Sequence, residues 1–486
     1  MLNEQMRSTN WMEYQKNAIG ESLEHLLYAW QINKPLEEML PLEKKKASFV
    51  LETVAGAYGI NIDDTTKEII EHGFYPHLDH GLKGKLTINH RSLAASIQGN
   101  GIYTPVKYIP VLMGEGGIGT VSPLSVINAE DAHTLQFQTN GFHWNMGIKF
   151  VQPPPHATHL FNLDSHEFLG KEYADSCVAG QNGGFVLVDS TLSCAQECNF
   201  CDYEQGEVKS GPTQLAEMKQ VLEFMAQNTG KITACFSAGS ALSADHGVVA
   251  TFKPMLEVVD EIKQQHPQLK VELEIELMPW QKSENESVLV MLTEYYQKGY
   301  IKAVNMNPET PIGIDRSEFM KTKEYGKANI PIIGSSEENQ GYLETFQLLK
   351  EHFPDLQMAG LILYGLKPKD MDHLTYSQLC LHTIDLFAQN GIKILLQPLK
   401  ISASSQMADY PLVDPFWLTG SILMADQIHM QHGLHEKPKV GCVNGCDACD
   451  PSRSGYSLIN YTQKTSGKSG VNELLQPWLS SLNQKL

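Results

Sequence analysis

The chain has 486 residues, 42% of them hydrophobic, and a formal net charge of −19 at neutral pH. That length calls for about two to four domains with real cores. The acidic balance argues against nucleic acid or an anionic membrane surface as the main partner, since both need a basic face. No apolar run approaches the ~20 residues that span a bilayer. Met1-Leu2-Asn3-Glu4 lacks the charged-then-apolar order of a secretion signal. The expectation is a soluble, cytoplasmic protein.

Asn10 can cap a helix that carries Trp11, Ile19, Leu23, Leu26, Leu27 and Trp30 at helical spacing and stops at Pro35. A second helix is expected over 42–58, ended by Gly59. A third follows the capping box Thr65-Thr66-Lys67-Glu68. From about Phe74 to Phe168 the pattern turns to short β-rich runs at 107–112, 135–138 and 148–151, punctuated by glycine. The histidines of this stretch (His77, His80, His143, His156, His159 and His166) have no ligand spacing and read as surface and loop residues. Gly114-Glu115-Gly116-Gly117-Ile118-Gly119 reads as a turn, because no strand–loop–helix context surrounds it. Pro153-Pro154-Pro155 is a stiff connector, with a domain boundary between it and Gly180.

Beyond the boundary, strands and helices alternate. Strands are expected at 184–188, 231–236, 271–279, 301–305, 330–333, 358–364 and 392–397, with helices at 214–227, 252–265, 287–298, 342–352 and 375–390. Such alternation builds a parallel sheet, open or closed into a barrel, with its site at the carboxyl ends of the strands. Along 271–277, Glu272, Glu274 and Glu276 alternate with Val271, Leu273, Ile275 and Leu277, so the two sets face opposite sides. The apolar set suits a helix layer, which leaves the glutamates lining a wet, partial barrel. A solvated edge strand is the alternative.

Six of the nine cysteines fall into two triplets, which points to metal binding in a reducing compartment rather than to disulfides. Cys194, Cys198 and Cys201 are spaced C-x3-C-x2-C on a loop after the strand at 184–188, with Phe200 just before the last. Three thiolates can hold three irons of a four-iron cluster and leave the fourth open to a ligand. Zinc is the competing reading, though structural zinc usually takes four ligands as two separated pairs. Cys442, Cys446 and Cys449 repeat the spacing near the other end of the chain, and thiolates there suit either metal. Cys380 reads as a small buried hydrophobe. Cys177 and Cys235 read the same way, with a ligand or radical-partner role as the alternative.

The first triplet after a strand, with an aromatic before its third cysteine, resembles the radical S-adenosylmethionine (radical SAM) superfamily. Its texture is nearest the lipoyl synthase and biotin synthase branch, and the likeness spans about 180–409. The resemblance implies a [4Fe-4S] cluster on Cys194, Cys198 and Cys201 that binds S-adenosylmethionine and cleaves it to a radical that takes hydrogen from a substrate. Asn305-Met306-Asn307-Pro308-Glu309-Thr310 resembles the branch's ribose box, which assigns the ribose hydroxyls to Asn307 and Glu309. An amide and a carboxylate at a strand end can bind a diol. Phe200 would meet the adenine through its backbone. Ser237 and Gly239 stand in the family's Gly-Gly-Glu segment, but this chain lacks its doublet and acid, which leaves Glu274 or Glu276 to meet the ammonium and act as catalytic carboxylates. Arg453-Ser454-Gly455-Tyr456 is similar to a motif in which a serine ligates an auxiliary cluster, so Ser454 joins the second triplet as a candidate ligand of a second [4Fe-4S] cluster. Lipoyl synthases are shorter, and their auxiliary cysteines precede the barrel.

The expectation is an α/β protein in three parts. Residues 1–175 form an N-terminal α+β domain, 176–435 a partial (β/α)6 TIM-like barrel, and 436–486 a C-terminal cluster-binding segment. The expected activity is radical C–H modification of a small-molecule or carrier- or peptide-bound substrate. Flavodoxin or ferredoxin would supply the electron. The second cluster would donate sulfur, anchor substrate or pass electrons. The alternative from another class is a metal-stabilised binding or scaffold protein without radical catalysis.

Overall fold

A computed structural model describes residues 9–35, 38–58, 61–62, 92–98, 107–110, 122–129, 132–150, 179–180, 183–184, 186–189, 198–200, 212–237, 247–320, 327–399, 406–407, 410–434 and 452–482. The chain opens with helices α1 (Thr9–Ala29) and α2 (Pro41–Tyr58). Six strands follow: β1 (Asn61–Ile62), β2 (Ser92–Gln98), β3 (Lys107–Pro110), β4 (Leu124–Ala129), β5 (Ala132–Gln138) and β6 (His143–Phe150). They form a sheet in the order β1-β4-β5-β6-β2-β3, in which β1 and β4 run parallel and the other pairs antiparallel. The expected helix after Thr65, the glycine run at 114–119 and His77, His80, His156, His159 and His166 lie outside the described residues.

A two-strand ribbon, β7 (Ala179–Gly180) and β8 (Gly183–Gly184), leads into the second large sheet. Its strands are β9 (Val186–Asp189), β10 (Lys231–Ser237), β11 (Lys270–Glu276), β12 (Ile301–Asn305), β13 (Gln357–Tyr364) and β14 (Lys393–Pro398). Each pairs in parallel with the next in chain order. Parallel neighbours need a crossover. The crossovers here contain α3 (Pro212–Thr229), α4 (Val248–Gln265), α5 (Asn285–Gln297), α6 (Tyr342–His352) and α7 (His373–Gln389). The molecule is therefore mixed α/β with a parallel sheet, as the alternating pattern implies.

One face of this sheet is closed by helices. Val271, Leu273 and Ile275 of β11 are buried, as are Met358, Ile362 and Tyr364 of β13 and Ile394 and Leu396 of β14. The alternate positions Glu276, Asn305, Gln357, Leu361, Leu363, Leu395 and Gln397 are only half-buried. Residues two apart share a face, so the opposite side of the sheet is partly open and mixes Glu276, Asn305, Gln357 and Gln397 with leucines.

The expected strand at 330–333 is not one. Pro331 has no N–H for a ladder, and Gly334 turns the chain at φ 81°. The carbonyls of Pro331 and Ile332 instead accept from the first amides of α6, Tyr342 at 3.0 Å and Leu343 at 3.1 Å. Two further helical elements, α8 (Pro415–Gln431) and α9 (Ser452–Leu482), the second broken by a kink at Gly467, have no counterpart in the sequence expectations. They pack against α1 and α2. The Trp30 indole donates to Leu474 O at 3.0 Å, the Trp478 indole donates to Phe416 O at 2.8 Å, and the two indoles meet edge to face at 5.6 Å. The Tyr58 hydroxyl donates to Val413 O. Among the described residues no helix is long and apolar enough to cross a membrane.

Candidate active site

The parallel strands deliver their carboxyl ends to one edge of the sheet, where ligands of such folds collect. At the far end of β11, half-buried Glu272 is tied to the exposed Lys270 at 2.7 Å. Glu274 is 1% exposed and sits beside Cys235 of β10 in register. Burial, then the charges of Glu274 and Glu276, push the Cys235 thiol well above its ordinary range. It stays protonated at neutral pH in this setting.

Glu276 ends β11 beside Asn305, the last residue of β12. The Asn307 amide nitrogen donates to Glu276 Oε1 at 2.5 Å, which fixes which way that amide points. Its other end, Oδ1, is buried and, like Asn305 Oδ1, has no hydrogen-bond partner among the described residues. A buried acceptor left unmet costs about 1–3 kcal/mol. Two such acceptors beside a carboxylate call for a ligand that brings donors.

Beyond Asn305 the chain keeps to the side of β13 without forming regular strand. Met306 N donates to Ala359 O at 3.0 Å, Glu309 N to Leu361 O at 3.2 Å, and Leu363 N to Glu309 O at 2.8 Å. The close approach depends on Gly360, where a Cβ would lie 2.1 Å from Met306 O. Glu309 is 8% exposed and has a left-handed φ of 66°. Non-glycine residues rarely adopt that geometry, and outliers of this kind gather at functional sites.

Of the first cysteine triplet, Cys198 is described, while Cys194 and Cys201 lie outside the described residues. Cys198 is buried and forms an antiparallel bridge with Met320. Asn199 N donates to Phe319 O at 2.8 Å, and its side-chain amide donates to Glu318 O at 3.1 Å. Phe200 is half-buried against the core. The segment that meets the cysteine loop is thus the 3-10 turn Arg316–Glu318 and its exit, downstream of Asn307 and Glu309 in the same crossover. The structure brings Glu276, Asn307 and Glu309 to one strand edge and anchors Cys198 to the loop that leaves it.

Ser237 is the register partner of Glu276 at the end of β10. Gly239, Cys442, Cys446 and Cys449 lie outside the described residues, and Ser454 falls in the first turn of α9. Among the described residues no three His, Cys, Asp or Glu side chains gather as a metal site. A cavity of about 570 Å³ lies in the same crossover, lined by Ile312, Ile314, Arg316, Ile330, Ile332 and Ser335 among others. Glu276, Asn307 and Glu309 do not line it.

Asn305, Gly360 and Arg316 help to shape this edge and are not among the candidates read from the sequence. Asn305 stood inside the recognised box, and its parity with Glu276 was available as a signal. Gly360 of β13 meets Met306 just beyond β12, and Arg316 joins Pro308 to Ile330 within one long crossover, contacts that no local pattern encodes. No protein-family model matches the sequence, and no curated protein matches it.

Proposed function

We propose that the chain is a radical SAM enzyme. The observation that carries this reading is the strand edge where Asn307 donates to Glu276 and its buried Oδ1 has no hydrogen-bond partner among the described residues, two positions before Glu309. A ribose diol brings two hydroxyl donors, and an amide oxygen with a carboxylate can take both. Asn305 Oδ1 offers a third acceptor of the same kind. The donor-poor, acceptor-rich set fits the nucleoside half of S-adenosylmethionine.

Two features of the sheet support a partial (β/α)6 barrel around this edge. Its six parallel strands run in chain order, the order of a singly wound barrel. They are also staggered: Asn305, at the end of β12, is level with Ala359, from which β13 runs on to Tyr364, and Ala359 is level with Lys393, the first residue of β14. Accumulated stagger is what tilts strands round a barrel axis. The half-buried, mixed face would then line the interior.

In this reading Cys194, Cys198 and Cys201 hold a [4Fe-4S] cluster. When bound together, the cluster and S-adenosylmethionine supply one-electron cleavage of a carbon–sulfur bond and hydrogen abstraction. Asn307 and Glu309 orient the ribose, and Glu276 fixes Asn307. Glu274 and Glu276 give the floor the negative charge that an ammonium group needs. Phe200, Ser237 and Gly239 would border the cofactor through their backbones. Cys442, Cys446 and Cys449 would hold a second cluster whose remaining iron is left for Ser454, for substrate or for sulfide. The substrate is a small molecule or a carrier- or peptide-bound group, the reductant is a flavodoxin or ferredoxin, and the setting is cytoplasmic.

The test is anaerobic reconstitution with iron and sulfide, followed by incubation with S-adenosylmethionine and dithionite. Brown protein that releases 5′-deoxyadenosine is expected. Replacing Cys194, Cys198 and Cys201 with alanine should abolish release while part of the iron remains on the second triplet. Release at the native rate from that variant would sink the reading, and colourless zinc-loaded protein would favour a metal-stabilised scaffold.

A further inference from the structure

Arg316 opens the 3-10 turn after the Asn307–Glu309 segment and is 6% exposed. Its guanidinium donates to Pro308 O at 2.9 Å through one terminal nitrogen and to Ile330 O at 2.6 Å through the other. The first of these also meets Met320 Sδ at 3.6 Å, and the guanidinium lies over the Tyr342 ring at 5.4 Å. Among the described residues no carboxylate pairs with it, for neighbouring Asp315 accepts from the Ser317 amide and hydroxyl. A buried cation without a carboxylate partner among the described residues is a poor way to gain stability, because desolvation opposes it.

The main chain of Arg316 works in the opposite direction. Its carbonyl accepts from Phe319 N at 3.1 Å and from Met320 N at 2.9 Å. Those two residues meet the cysteine loop, Phe319 through Asn199 N and Met320 through its bridge to Cys198. The side chain of Arg316 thus grips the peptide between Asn307 and Glu309, while its backbone shapes the surface on which Cys198 rests.

We propose that Arg316 is a positioning residue that sets the diol-binding turn and the cysteine loop in register with one another. This rests on the radical SAM reading for its consequence, since one ligand must reach both the ribose pair and the open iron. A fork that spans two carbonyls is the particular property of arginine. Lysine, a point donor on a flexible stem, reaches one of them.

The test uses the full chain as wild type, Arg316→Met and Arg316→Lys. Amide hydrogen exchange is followed at Asn199 for the cysteine loop, at Leu363 for the Glu309 segment, and at Leu277 as a control. Leu277 donates to Asn305 O at 2.8 Å in the neighbouring strand pair. Affinity for S-adenosylhomocysteine is measured by calorimetry on reconstituted protein. In Arg316→Met, exchange at Asn199 and Leu363 should rise together by about tenfold or more while Leu277 stays native. The dissociation constant should rise about tenfold with iron content unchanged, and Arg316→Lys should fall between. Faster exchange at one end only, an equal rise at Leu277, or a native dissociation constant would each overturn the proposal. If Arg316→Met does not fold, Arg316→Lys decides, and native values at both ends overturn it. If the wild type binds no S-adenosylhomocysteine, the radical SAM reading fails on its own, and the paired exchange still decides whether Arg316 couples the two loops.

Discussion

Glu309 holds a backbone geometry, φ 66°, that costs a residue with a side chain about 1–2 kcal/mol and costs glycine almost nothing. Glu309→Gly should therefore leave the thermal midpoint unchanged or raise it, while affinity for S-adenosylhomocysteine falls at least about tenfold. Calorimetry and a thermal melt on the same samples check both halves, and a midpoint that drops with affinity retained would remove Glu309 from the site. Asn307→Ala should weaken the same ligand by about 1–3 kcal/mol, the usual consequence of an unmet buried partner, without altering iron content. Cys235 gives a pH dependence of known sign. Its folded thiol is raised above the unfolded value of about 8.5, so its contribution is intact below that pH and is lost as pH rises toward the folded value. Cys235→Ala should flatten that part of the alkaline decline in stability, and native Cys235 should resist alkylation at neutral pH. The acidic strand and the asparagine box were legible in the sequence because β alternation and spacing are local. The strained φ of Glu309 and the orientation of Asn307 were not, because they depend on β13 and on Glu276.

At the scale of elements, the β–α alternation of 186–398 was readable because the strands are short apolar or alternating runs and the crossovers carry helical stretches. Boundaries agree within a few residues, and the helix at 342–352 was placed to the residue. Ile330–Ile333 misled because apolar content reads alike in a strand and in a segment whose carbonyls cap a helix. Helix α8 escaped because it is buried on nearly all sides, so it shows no polar face to mark its period. The β12–β13 contact offers a sharp test. Gly360→Ala places a methyl carbon only 2.1 Å from Met306 O. Overpacking of this sort costs about 1–3 kcal/mol. Here the turn that carries Asn307 and Glu309 must give way, so ligand affinity should fall together with stability. Native S-adenosylhomocysteine binding in Gly360→Ala would show that the turn does not depend on that approach.

Across the whole molecule, α1 and α2 lie against α8 and α9, and the junction is built on Trp30, Phe416 and Trp478. Trp478 is fully buried, and Gly420 leaves the space its indole fills. Trp478→Ala should cost about 3–5 kcal/mol, and if the junction belongs to the same cooperative unit as the sheet, one transition should shift as a whole in calorimetry. Two separate transitions would show that the helix cluster melts alone. The same junction dictates an order of events during synthesis. Trp30 donates to a carbonyl 444 positions later in the chain, so the apolar faces of the first two helices emerge from the ribosome long before their partners exist. At synthesis rates of about 5–20 residues per second, that exposure lasts tens of seconds. The leading helices are then natural clients for a holdase, and a ribosome stalled before Trp478 is made should leave nascent chains that are captured by chaperones or lost to aggregation.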